Sequence, residues 1–100
     1  MDTNHPTVFV DVDGTLLLWR GRNGAEAEPP INTGLITRLR ELRVKGYRIA
    51  VWSYGGEIHV RNAIKRCGIE DIVDWCLGKP TLVFDDAGLG YNQHVVIEKP

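Results

Sequence analysis

The chain has 100 residues, 43% hydrophobic and 25% charged, which suits one small globular domain and leaves no material for a second core. Lys plus Arg number 12 against 13 Asp plus Glu, a formal charge of -1, so no global basic field favours nucleic acid or an anionic membrane. Apolar runs of about four or five residues fall far short of a bilayer span, the start "MDTNHP" lacks the regions of a signal peptide, and a cytoplasmic location is the default.

After a leader over 1–6 that is expected to be flexible, "TVFVDV" at 7–12 predicts a buried strand, rich in Val and Phe and punctuated by Gly14. The next stretch, "LLLWRGRNGAEAEPP", sets a Gly-Arg-Asn-Gly turn between two extended arms, which predicts a small hairpin or flap over 16–28, closed by Pro29 and Pro30. Asn32 can cap a helix to about Lys45, with Leu35, Ile36, Leu39 and Leu42 as its apolar stripe and Gly46 as its stop. "YRIAVWS" predicts a second strand ending at Ser53, and "YGG" leads into a helix over 57–67. There Val60, Ala63, Ile64 and Cys67 recur at helical spacing, and Gly68 before Ile69 suits a Schellman stop. Extended segments at 72–77 and 81–84 follow, with a last short strand at 94–98. Alternating strands and helices predict an α/β domain with a parallel sheet and right-handed crossovers. Cys67 and Cys76 have no CxxC or Cys/His spacing and read as reduced thiols with packing roles.

Two carboxylates end the first strand. Side chains alternate along a strand, so Asp11 and Asp13 can share one side while Val12 points the other way. In open parallel sheets ligands sit beyond the carboxyl ends of the strands, where Asp13, Ser53 and Asp86 all fall on these strand assignments. A second acidic pair, Asp85 and Asp86 in "VFDDAG", again follows an apolar segment. Four carboxylates in one crevice cannot all ionise without a counter-cation, and Mg²⁺, which takes a few carboxylate oxygens and completes its shell with water and phosphate, answers that need. By rough charge count the ion and one lysine leave a single excess negative charge, removed if one Asp is protonated, and a protonated Asp is a general acid. Taken alone, "DVDG" reads as a strand followed by an Asp/Gly turn. An EF-hand loop is set aside because Thr15 stands where a third ligand is needed and Arg22 occupies the twelfth position.

With these motifs in order over residues 8 to 88, the chain resembles the haloacid dehalogenase-like superfamily, most closely its small phosphatase-type members. The residues that carry the resemblance are "VFVDVDGTL", "IAVWS", "GKP" and "VFDDAG". The resemblance implies a single Rossmann-like three-layer domain over 1–100, with helices on both faces of a small parallel sheet, and a Mg²⁺-dependent phosphomonoesterase. Asp11 would be the nucleophile that forms an aspartyl-phosphate, and Asp13 would protonate the leaving oxygen and then deprotonate the hydrolytic water. Asp11, Asp13 through its carbonyl, Asp85 and Asp86 would hold the metal. Thr15 would support the loop and the phosphate site, while Ser53 and Lys79 would bind the phosphoryl group. Only five residues separate Lys79 from Asp85. A full strand over 81–84 would start Lys79 near the wrong end of the sheet, so either that strand is very short, or Arg20, Arg22 or Lys99 supplies the cation, or phosphate binding is weak.

Neither the flap nor the Lys79 region has room for a cap domain, so an open site is expected. Among relatives, capless members often act on phosphoproteins or nucleic-acid ends, or use a neighbouring subunit as a lid. A phosphorylated substrate, a macromolecular one included, is therefore the expected partner, with a homo-oligomer as an optional lid and no membrane. Trp19, Arg20 and Arg22 either stack on a base and pair with phosphates or form a solvated hairpin tip. Arg38, Arg40, Arg43 and Lys45 read as a solvated polar face, and His59 and His94 as surface or half-buried histidines without a metal partner at ligand spacing. The glycines of "WSYGG" either turn the chain or aim helix N–H groups at phosphate. Two other classes stay open: a phosphate- or partner-binding module without turnover, and a receiver-like phosphoacceptor domain. A receiver would carry its acceptor Asp mid-chain, without an acid two residues on.

Overall fold

Three strands and two helices alternate along the chain in the computed structural model, which describes residues 5–18, 28–86 and 98–99. They are β1 (Thr7–Asp11), α1 (Thr33–Val44), β2 (Arg48–Ser53), α2 (Glu57–Cys67) and β3 (Trp75–Gly78). The strands form one parallel sheet in the order β1-β2-β3, with Asp11 level with Trp52 and Ser53 level with Gly78. Because all three run the same way, Asp11, Ser53 and Gly78 reach the same edge of the sheet.

The core explains why these segments fold as they do. Val10, Val51 and Ile49 from the strands are buried with Leu39 of α1 and with Val60, Ala63 and Ile64 of α2. Burying each such aliphatic side chain stabilises the fold by about 1.5–3 kcal/mol. Leu35, Ile36 and Leu42 complete the α1 stripe as half-buried neighbours. The Asn32 side chain accepts from Leu35 N at 3.1 Å and so satisfies a first-turn donor of α1. Gly68, at φ 67°, ends α2 with its N–H on the Lys65 carbonyl, while Ile69 N–H reaches Ile64 O, the expected Schellman stop.

Pro6 already lies in the sheet, since Arg48 N–H donates to its carbonyl at 2.8 Å; the expected leader is thus docked by residue 6. The base of the flap is also formed. Leu17 bridges Ile31 antiparallel and Leu18 N–H donates to Pro30 O at 2.7 Å, while 19–27, with Trp19, Arg20 and Arg22, lie outside the described residues. The basic residues of α1 are occupied structurally: Arg38 pairs with Glu98, Arg40 with Asp71 and Arg43 with Asp74.

The main difference from the sequence reading lies after α2. The extended segment expected at 72–77 is a loop as far as Asp74, then β3 runs through Gly78. Ile72 is buried in that loop, its N–H on the Ile69 carbonyl, so its hydrophobicity caps the core rather than marking a strand. No strand forms at 81–84. Pro80 offers no N–H to a ladder, and Leu82, Val83 and Phe84 lie exposed off the sheet. A four-residue apolar run becomes a strand only where an edge receives it. Of the last expected strand, 94–97 lie outside the described residues, as does His94. No helix among the described residues is long and apolar enough to cross a membrane.

Candidate active site

The turn after β1 is held by its own backbone. Val12 is fully buried, and its carbonyl accepts from Thr15 N at 3.2 Å and Leu17 N at 3.0 Å, while Gly14 N–H donates to Leu17 O at 2.8 Å. Gly14 sits at φ 81°, where a side chain would cost about 1–2 kcal/mol. Asn32 braces the same turn from α1, its amide donating to the Thr15 carbonyl at 3.1 Å. With Val12 anchored inward, Asp11 and Asp13 emerge at the sheet edge as the alternation predicted, their side chains 36% and 43% exposed.

Lys79 reaches that edge. Its Nζ stands 3.3 Å from Asp11 Oδ1, 4.8 Å from the centre of the Tyr54 ring and 5.8 Å from that of Trp52. The strand that would have displaced it is not formed. β3 instead stops at Gly78 beside Ser53, and Lys79 N–H donates to the Ser53 carbonyl at 2.9 Å. Lys79 thus leaves the sheet where Asp11 does. Two aromatic faces and one carboxylate hold the ammonium group, an arrangement worth about 0.5–1 kcal/mol per ring contact at an accessible site. Asp11 Oδ2 has no partner among the described residues.

Ser53 is buried at the end of β2, and its Oγ accepts from Gly55 N at 2.9 Å. That bond orients the hydroxyl and leaves its hydrogen as a donor. Gly56 begins α2 with no side-chain cap, so the first N–H groups of that helix have no side-chain partner from the cap residue.

His59 was not legible as a site residue. From the first turns of α2 its Nε2 lies 2.9 Å from Asp13 Oδ2. A Cβ at Gly55 would stand 2.8 Å from His59 Cδ2, so the bare glycine backbone is what admits the ring. Among the sequence signals, only the "YGG" turn just before the helix hinted at this room. Asp11, Asp13, Ser53 and Lys79 are therefore gathered at one edge with Thr15 supporting through its backbone, and His59, Tyr54 and Trp52 join them.

Asp85 and Asp86 are exposed after the unpaired 81–84 segment, and no group of three His, Cys, Asp or Glu able to hold a metal occurs among the described residues. Asp11 and Asp13 offer hard oxygen donors. Mg²⁺ commonly binds through one or two carboxylates, with substrate phosphate and water filling its shell, and here Asp11 would supply a carboxylate oxygen and Asp13 its backbone carbonyl. Chemically, the edge offers an accessible carboxylate oxygen, an adjacent second acid, an ammonium and a hydroxyl donor, the parts that phosphoryl transfer requires.

Comparison with protein-family models gives no match, and no curated protein matches the chain.

Proposed function

We propose that the chain is a Mg²⁺-dependent phosphomonoesterase of the haloacid dehalogenase-like type, working through an aspartyl-phosphate on Asp11. The observation that carries this reading is Lys79 Nζ at 3.3 Å from Asp11 Oδ1, on an edge that also bears Asp13 and Ser53. Lys79 engages one oxygen of Asp11 and leaves Oδ2 to attack phosphorus. As the Oδ2–P bond forms, the bond from phosphorus to the leaving oxygen breaks, and Asp13 gives that oxygen its proton. Water then attacks phosphorus, passes its proton to Asp13, and releases inorganic phosphate and free Asp11. Lys79 and the Ser53 hydroxyl stabilise the phosphoryl oxygens through both steps. The Asp11 carboxylate and the Asp13 backbone carbonyl would hold Mg²⁺, with Asp85 or Asp86 as the further ligands the resemblance implies, and the ion would supply charge neutralisation for the phosphoryl group.

The same reading includes a Rossmann-like three-layer arrangement without a cap, a cytoplasmic setting, and a phosphorylated substrate reached through an open site, macromolecular or lidded by a second subunit. A second reading, a phosphate- or partner-binding module without turnover, draws on the same ion pair, because a carboxylate neutralised by lysine is a weaker nucleophile. Hydrolysis of p-nitrophenyl phosphate with Mg²⁺ separates the two. Asp11→Asn is expected to lower turnover at least about 10³-fold and Asp13→Asn about 10²- to 10⁴-fold. Hydrolysis that survives Asp11→Asn removes the nucleophile assignment. A native chain inert toward phosphomonoesters, yet binding inorganic phosphate, favours the module.

A further inference from the structure

Asp13 stands beside His59, and His59 borders a cleft. A proton donor must lie on the side of the leaving oxygen, so the alcohol part of any phosphomonoester attacked by Asp11 has to extend past Asp13. There His59 lines an open cleft of about 290 Å³. The volume is close to the lower bound for small-molecule sites. The floor of the cleft is apolar, made by Leu17 and Pro29 at the base of the flap and by Ala63 of α2. Its walls carry Asn62 and Arg66 on the helix and Glu28 on the chain opposite in sequence.

His59, Asn62, Ala63 and Arg66 follow at spacings of three, four and seven, so one face of α2 runs the length of the cleft. Seven residues of helix set Arg66 about 10 Å from His59 along the axis. Most arginines of the described chain are spent on carboxylates: Arg38, Arg40, Arg43 and Arg61 all have acidic partners. Arg66 is exposed and has no ion-pair partner among the described residues. A cation without an ion-pair partner among the described residues, at the far end of an apolar floor, selects a ligand with an apolar body and a second negative charge. Glu28 adds an acceptor, which suits a donor group on the ligand rather than a third charge.

We propose that this cleft is the leaving-group subsite, taking the flat, apolar alcohol portion of a phosphomonoester that carries a second anionic group paired with Arg66. His59 is a positioning residue in it, holding Asp13 toward the alcohol oxygen. The proposal rests on the phosphomonoesterase reading for its chemistry. Binding to the cleft is nevertheless a separate observable, and the experiment uses both.

The probes are phenyl phosphate, 4-carboxyphenyl phosphate, glycerol phosphate and p-nitrophenyl phosphate, offered to the native chain, Arg66→Glu, His59→Ala and His59→Gln. Arg66 is exposed, so its replacement leaves the fold intact. The native chain is expected to show a KM for 4-carboxyphenyl phosphate about tenfold below that for phenyl phosphate, the usual scale of one charge-assisted contact. Arg66→Glu reverses that order. His59→Ala lowers kcat for glycerol phosphate, a poor leaving group, more than for p-nitrophenyl phosphate, and His59→Gln, which can still donate to Asp13, restores part of it. A purely structural histidine would lower both substrates alike.

Titration of 4-carboxyphenyl phosphate into Asp11→Asn, followed by the NMR signals of the Ala63 methyl and the His59 ring, gives the readout that needs no turnover. Shifts at both support the subsite even where the native chain proves inert, and that outcome removes only the phosphatase reading. Unmoved Ala63 and His59 signals, or an Arg66→Glu variant with unchanged substrate preference, overturn the proposal.

Discussion

The two edges of the sheet each set carboxylates against cations, yet they are built differently. At the amino edge, Asp74 just before β3 is enclosed by donors and cations: Arg43 Nη1 lies at 2.6 Å, Arg48 Nη1 at 3.8 Å, and Ile49 N–H donates to it at 2.8 Å, leaving the side chain 19% exposed. At the carboxyl edge, Asp11 keeps one oxygen without a partner among the described residues, and its cation is held by aromatic faces rather than by further acids. The first arrangement puts two hydrogen bonds on Oδ2 and a cation near Oδ1, and so ties α1, β2 and the start of β3 together. The second keeps capacity in reserve. Paired carboxylates mark function where they face an accessible edge with an oxygen still open, and mark architecture where several donors from different elements enclose them.

Substitutions at the two edges should therefore separate activity from stability. Lys79→Met is expected to lower p-nitrophenyl phosphate turnover about 10²- to 10³-fold, as for loss of one group that stabilises developing charge. The urea midpoint should barely move, and a large loss of stability with intact kcat would make Lys79 a second Asp74. Asp74→Ala is expected to do the reverse. Loss of a partly buried, charge-assisted acceptor costs about 2–3 kcal/mol in a urea titration, with kcat per folded molecule unchanged.

A subtler change is Gly55→Ala, whose new methyl stands where His59 now lies and so pushes the ring from Asp13. About a tenfold fall in turnover of a poor leaving group, with the melting temperature held, would show that the carboxyl edge depends on this pair. The smallest effect belongs to the exposed pair of Arg40 and Asp71. The Arg40 guanidinium hydrogen-bonds the Asp71 carboxylate and holds its pKa below the ordinary value, against a smaller opposing effect of desolvation. A depressed native pKa adds stability above the unfolded value, and that increment is lost as pH falls through the native one. Urea midpoints of the native chain and Asp71→Asn should differ slightly at neutral pH and converge in acid.

Much of this framework is legible in the sequence. "TVFVDV" is dense in β-branched residues and "YRIAVWS" in β-branched and aromatic ones together, and both helices are bounded by residues with a local mechanism, Asn32 as an N-cap and Gly68 as a left-handed stop. The turn at Asp11 and Asp13 was legible too, because strand alternation turns Val12 inward whatever the rest of the chain does. The segment at 81–84 was not. Its apolar run gives the composition of a strand, but pairing depends on an edge being within reach. Lys79 was ambiguous for the same reason: its reach depends on where β3 ends, and Ser53 beside Gly78 decides that. His59 gave no signal because its partner stands 46 residues earlier in the chain.

By itself, then, the order of residues determined what acts over a few neighbours: the periodicities of β1, β2, α1 and α2, their caps, and the side of the chain on which Asp11 and Asp13 emerge. These follow from backbone sterics and short-range hydrogen bonds, which need no partner from elsewhere. Only the tertiary structure decided which charges meet. It gave Asp74 to Arg43 and Arg48, Lys79 to Asp11, and His59 to Asp13, because contacts between distant residues depend on sheet register and helix placement, and those are set by the packing of the whole core.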